Sequence, residues 1–177
     1  MTDKIMNDIV LSKYTEEFVR VALEFCVLAE KAKQNEKSQF IANMVKVLPL
    51  LYLKISIIPS IEENFDSNLE TRVTETMYNE VQENISDLLG GDNLYLETFH
   101  PDIKLSDSPI AVKISEDLAD IYQDLGNFIA EFKNGQTETM NDSLVLCIQN
   151  FSYYWGQRLV NALRALHYIQ YKEEIIA

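Results

Sequence analysis

Tyr153–His167, YYWGQRLVNALRALH, sets a tryptophan, two arginines, an asparagine and a histidine at near-regular spacing among leucines and alanines. At about 100° per residue, Trp155, Leu159, Ala162, Leu166 and Ile169 gather on one face, which reads as the buried stripe of an α-helix. Arg158 and Asn161 flank that stripe on one side, Arg164 lies nearly opposite, and His167 falls towards the far flank. A straight helix therefore cannot send all four polar groups into one pocket. Arg158 and Asn161 are the two site candidates on this segment.

The same periodicity extends through the chain. A first helix is expected over about residues 15–34, with Phe18, Ala22, Phe25 and Leu28 at helical spacing and Asn35 ending the pattern. A second, about 38–56, is apolar almost all round, which predicts a central position and a kink at Pro49. Ser67-Asn68-Leu69-Glu70 has the spacing of a capping box and predicts the start of a third helix that ends at Gly90-Gly91. The seventeen residues DNLYLETFHPDIKLSDS then carry no helical period and, with Gly91 before them, read as a long loop, 91–108. Ser108-Pro109, or later Ser115, opens a fourth helix that stops at Asn134-Gly135. A fifth starts near Thr137 or Thr139 and reaches Tyr171, with Gly156 marking a bend or a close contact. With 177 residues, 47% of them apolar, and only five glycines and four prolines, the chain is expected to be all-α. The expected architecture is a single-domain antiparallel bundle of about five helices with a long last helix.

Composition narrows the function classes. Cys26 and Cys147 sit far apart in apolar runs with no CxxC, so both are expected as buried thiols in a reducing compartment. No apolar leader opens the sequence, and the most apolar segment, KVLPLLYLKISIIPS, is too short and too charged to span a bilayer. A cytoplasmic protein is the expectation. Of the net charge of −13, −10 falls between Glu62 and Asp107, where twelve acidic residues face two basic ones. No Lys/Arg stripe offsets it, which argues against nucleic acid as a partner.

In the fourth helix, Asp117, Asp120 and Asp124 stand at i, i+3 and i+7 and form an acidic stripe beside the apolar face. Counting back equally from the turn at Gly135 brings Arg158 level with residues 112–116, within reach of Glu116 or Asp117. As an inter-helix ion pair, this arrangement predicts a loss of roughly 3–5 kcal/mol when Arg158 is truncated. As a site, it forms a polar cleft of Asp117, Asp120, Asp124, Arg158 and Asn161, with Tyr122, Tyr154 and Trp155 as aromatic contacts. Solvent exposure of Tyr154 and Trp155 favours binding, and burial of both favours scaffolding.

The combination SEDLADIYQDLGNF followed by MNDSLVLCIQNFSYYWGQRLVNALRALH resembles a bacterial family known as domain of unknown function 5063. The resemblance is close from Ile114 to His167. Its matching elements are Asp117-Leu118, the Asp120, Tyr122 and Asp124 series, Trp155-Gly156, and Arg158 through His167. It implies an all-helical fold and no activity.

Tests against helical enzymes give little. HEPN-type RNases place histidine four to six residues after arginine, whereas His167 follows Arg158 by nine and Arg164 by three. Di-iron bundles need Glu-x-x-His pairs on facing helices, and neither His100, in HPD, nor His167, in RALH, is read as closing one. Glu80-x-x-Glu83 and Asp117-x-x-Asp120 partly match the acidic pairs with which helical nucleotide pyrophosphatases hold Mg²⁺. The expected function is a binding module for an unknown protein partner or small ligand, with an Mg²⁺-dependent pyrophosphatase-like enzyme as the alternative.

Overall fold

The computed structural model describes residues 9–61, 67–97, 110–133 and 135–176, with backbone alone for 173–176. Helix α1 (Lys13–Glu30) is capped by Ser12, whose hydroxyl accepts from the Thr15 amide. A 3₁₀ turn, Ala32–Gln34, leads into α2 (Lys37–Ser56), which carries Pro49 on its exposed side within an unbroken helical run. Lys54 of α2 meets Glu17 of α1 at 2.7 Å, so the two helices run antiparallel. The remaining elements are α3 (Glu75–Leu89), strands β1 (Leu94–Glu97) and β2 (Ile110–Lys113), α4 (Ile114–Phe132), α5 (Thr137–Asn150) and α6 (Gly156–Ile176). A π turn, Phe151–Trp155, joins α5 to α6, so the two form one long helical rod, the fifth of the bundle.

Helix α4 packs against α1, α3, α5 and α6 and is the centre of the bundle. Its apolar face, Ile114, Leu118, Ile121, Leu125 and Phe128, joins the main core with Phe18, Phe25, Phe40, Leu48 and Trp155. The second helix, expected there, packs chiefly on α1 and α6 and leaves Leu50, Leu53 and Ile57 in solvent. An all-apolar sequence suits either a central helix or a peripheral one with an uncovered face.

The third helix begins seven residues later than the Ser67 box suggests. Thr74 is its cap, accepting from the Met77 amide. Tertiary bonds override the local signal in residues 67–73. The Ser67 amide donates to Asp142, the amides of Arg72 and Val73 both donate to the Asn127 side chain, and Arg72 pairs with Glu131 at 2.7 Å. Held this way, Val73 lies so close to Gly126 that a Cβ there would come within 2.5 Å of it.

The region read as a loop contains β1, paired antiparallel with β2 in the register Leu94↔Lys113 to Glu97↔Ile110. This is a two-stranded addition to a predominantly helical domain. Helix α4 accordingly starts at Ile114, after β2 and close to the Ser115 alternative, while Ser108-Pro109 lies outside the described residues. Asn93 fixes the junction by accepting from the Ser115 amide and donating to its hydroxyl. The glycine stops hold, with positive φ at Gly90 (57°) and Gly135 (72°).

At the π turn the Gly156 amide reaches back five residues to the Phe151 carbonyl. Only glycine fits there, since a Cβ would sit 2.4 Å from that oxygen and 2.9 Å from the Phe151 ring. Phe151 stacks edge-on against Trp155 at 4.7 Å and against Tyr52 of α2 at 5.0 Å. From the end of the turn onward, Trp155, Leu159, Ala162 and Leu166 are all fully buried, as the helical stripe requires.

Candidate functional site

Arg158 projects from the first turn of α6 towards α4. Its guanidinium lies 3.2 Å from the Asp117 carboxylate and 3.4 Å from Asp120, and 5.3 Å over the Tyr154 ring. Three tyrosine hydroxyls complete the cluster. Tyr95 of β1 donates to Asp117, Tyr78 of α3 donates to Asp120 at 2.9 Å, and Tyr154 of the π turn donates to Asp120 at 2.7 Å. Five elements, α3, β1, α4, the π turn and α6, thus meet at two carboxylates.

Asn161, one turn beyond Arg158, donates to Glu97 of β1 at 2.6 Å and accepts from Gln157 at 2.9 Å. Tyr95 and Glu97, two apart in a strand, share its inward face. Alternation therefore delivers both into the helices while Leu94 and Leu96 point out to solvent. Arg164 adds a bond from outside, donating to the Leu96 carbonyl at 3.0 Å.

Asp117 is only 1% exposed. Desolvation pushes its carboxyl up to about 6, although the Tyr95 hydrogen bond and the Arg158 charge pull the other way. The same burial, with the neighbouring carboxylates, raises the Tyr78 and Tyr95 phenols far above their usual range and brings Tyr154 up to about 12. These hydroxyls remain donors at any physiological pH. The cluster is closed by its own partners.

The acidic stripe does not act as one unit. Asp124 turns to Asn150 of α5 and lines a separate pocket of about 100 Å³ between α4 and α5. Tyr122 faces the opposite side, donating to Glu30 of α1 at 2.9 Å. Glu116 pairs with Lys113 rather than with Arg158. The aromatic test divides, since Tyr154 is 45% exposed whereas Trp155 is fully buried and donates its indole N–H to the Cys147 carbonyl. His167 is exposed and lies against Tyr171.

The residues that sequence reasoning left out of the polar cleft are Tyr78, Tyr95 and Glu97. For the last two a signal existed in the alternation of LYLE and IAVK, too short to stand out beside the helical periods. Glu97 also stands three residues before His100, which lies outside the described residues.

For the Mg²⁺-dependent alternative, Asp117 and Asp120 are committed to Arg158 and three tyrosines, and Glu80 and Glu83 stand exposed on α3. Among the described residues, no three His, Cys, Asp or Glu side chains converge as a metal site, and no helix is long and apolar enough to cross a membrane. Nothing in the geometry supports that alternative.

Comparisons with known proteins bear on the family and the fold. Protein BF1032 from Bacteroides fragilis is 44% identical, and its crystal structure matches with a TM-score of 0.82 over 92% of this chain and 96% of that one. No curated protein matches. The family model described as domain of unknown function (DUF5063) matches residues 9–172, and the chain therefore belongs to that family.

Proposed function

We propose that this chain is a protein-interaction module whose recognition surface is the outer face of α6 together with the outward side chains of β1. One observation carries the reading. In a chain of net charge −13, the thirty residues between Asp142 and Glu173 contain no acidic residue, and they expose Tyr153, Tyr154, Val160, Tyr168 and Tyr171 among the polar Gln157, Arg164, His167 and Gln170. Tyr153 is 89% exposed, Leu94 60%, Leu96 56% and Tyr168 56%, with Val160 and Tyr171 also open. Exposed Tyr and Leu beside Arg, with Asp and Glu depleted, is the composition of interface cores rather than of solvated surface. Helix α6, about 30 Å long, gives this face the reach of a standard interface.

The polar cluster serves this surface as a scaffold. Asp117 and Glu97 fasten the hairpin to α4 and α6 from within, so that Leu94 and Leu96 project beside Tyr168 without a loss of order on binding. Two buried free thiols, Cys26 and Cys147, support a reducing, cytoplasmic setting.

The test is site-specific photo-crosslinking in cells, with the reactive residue placed in turn at Tyr153, Val160 and Tyr168, and at Glu24 and Lys46 on the α1/α2 side. The reading expects one common partner from the first three and none from the other two. Equal labelling from both sides, or none from α6, refutes it.

A further inference from the structure

Four of the five acidic residues of α4 stand beside a cation. Asp117 and Asp120 share Arg158, Glu116 pairs with Lys113, and Glu131 pairs with Arg72. Asp124 meets none among the described residues. Its hydrogen bond is to the Asn150 side-chain amide, which donates to Oδ1. Burial pushes its carboxyl above the usual range, that bond pulls it back only in part, and the Asp120 charge adds to the rise. A half-buried carboxylate in this position lacks a counter-charge.

Asp124 lines the cavity of about 100 Å³ between α4, α5 and residues 69–71. Leu69, Phe128 and Leu146 give that cavity an apolar wall. An apolar cavity of about 150 Å³ takes a benzene molecule, so this one has room for about four heavy atoms. The two other acids of the lining, Glu70 and Glu131, are bridged by Arg72 at 3.0 and 2.7 Å. The Asn127 side-chain oxygen is taken by two backbone amides. Acceptors left in the lining include the second oxygen of Asp124, the amide oxygen of Asn150, and the hydroxyl oxygen of Ser143, whose proton goes to the Met140 carbonyl. The lining contains no basic residue, so an anion would face a carboxylate that nothing offsets. A guanidinium fork needs both oxygens of the carboxylate, and Asn150 holds one. A primary ammonium, a compact charge with three donors, fits acceptors of this kind.

We infer that this cavity binds the primary ammonium end of a linear aliphatic amine, with Asp124 as its counter-ion and the apolar wall taking the adjoining methylenes. No residue of α6 or β1 lines the cavity, so the site stands independently of the interaction surface. A free diamine and a lysine side chain of another protein present the same group, and the ligands tested below separate them.

The experiment follows nitrogen–proton correlation spectra of the full chain during titration with diaminobutane, with Nα-acetyl-lysine methylamide, and with butanediol as the uncharged analogue. The expected result is a saturable shift of the amides of residues 69–71 and 143–150 by at least one of the two amines, with butanediol weaker by about tenfold or more. Tighter binding of diaminobutane assigns the site to free amines, and tighter binding of the lysine analogue assigns it to a protein side chain. Asp124→Asn should weaken the amine by about tenfold or more, because a charge-assisted hydrogen bond is lost. Leu146→Lys, at a position 42% exposed, should block binding by supplying an ammonium from the chain itself. Circular dichroism checks that both variants are folded, and the exposed position of the second protects the test against misfolding of the first. Shifts scattered over the acidic surface instead of these segments, equal affinity for butanediol, amine binding undiminished in the folded variants, or no saturable shift overturns the inference.

Discussion

Replacing Arg158 by methionine tests whether the polar cluster is structural, and its cost should depend on pH in a calculable way. With the Asp117 carboxyl at about 6 in the folded protein, the folded state holds its carboxylate below the protonated form by about 1.4 kcal/mol at pH 7, and by about 1.4 kcal/mol more at pH 8, less than the ordinary 3.8 would give. Without the guanidinium at 3.2 Å the folded carboxyl titrates higher, and at the limit all of this preference is forfeited. The variant should therefore lose about 1.4 kcal/mol at pH 7, about 2.8 at pH 8, and almost nothing through this route at pH 5. Loss of the contact with the Tyr154 ring adds about 0.5–1 kcal/mol at every pH. The total at pH 7, about 2 kcal/mol, falls below the usual 3–5 for a broken buried pair, because the stranded carboxyl can take up a proton and Arg158 itself is 32% exposed. Urea unfolding of both proteins at pH 5, 7 and 8 measures it. A loss that stays flat across that window refutes the argument, and no loss at any pH shows that Arg158 is kept for something other than the fold.

Asp117→Asn isolates the buried carboxyl. Its folded pKa of about 6 lies above the ordinary 3.8, so the wild-type carboxyl contributes stability fully below pH 3.8 and loses it as pH rises through 6. The amide should remove a pH-dependent difference of about 2 kcal/mol between pH 4.5 and 7, read by parallel urea titrations. Gly156→Ala should cost about 2 kcal/mol or more, because its Cβ would lie 2.4 Å from a backbone oxygen that cannot move without unwinding the π turn; a thermal midpoint equal to that of wild type contradicts this. Burial raises both thiols, Cys26 and Cys147, so neither should react with a disulfide reagent in native buffer and both should react in denaturant.

The helices were legible where burial alone decides them. Trp155, Leu159, Ala162 and Leu166 follow a period that the core enforces, and Gly90 and Gly135 stop helices by backbone geometry. What the sequence concealed depends on distant partners. Ser67-x-x-Glu70 is a sound local cap, but Asn127, Glu131 and Asp142 offer residues 67–73 better bonds elsewhere. The four-residue strands are shorter than one helical repeat of pattern can reveal, so Tyr95 and Glu97 were hidden with them. In the candidate site, the facing of Arg158 towards Asp117 follows from helix pairing, and the same antiparallel pairing two turns further along α4 brings Asp124 to Asn150 at the α5 end of the rod.

The central claim separates surface from scaffold, and a paired comparison of Tyr168→Asp with Arg158→Met tests it most directly. Each variant is scored for unfolding free energy and for crosslinking from a probe at Tyr153. The account predicts that Tyr168→Asp stays within about 0.5 kcal/mol of wild type and loses the crosslinked partner, while Arg158→Met is less stable and keeps it. The reverse pattern, an undiminished partner in Tyr168→Asp and a lost one in a fully stable Arg158→Met, would place recognition in the polar cluster and contradict the account.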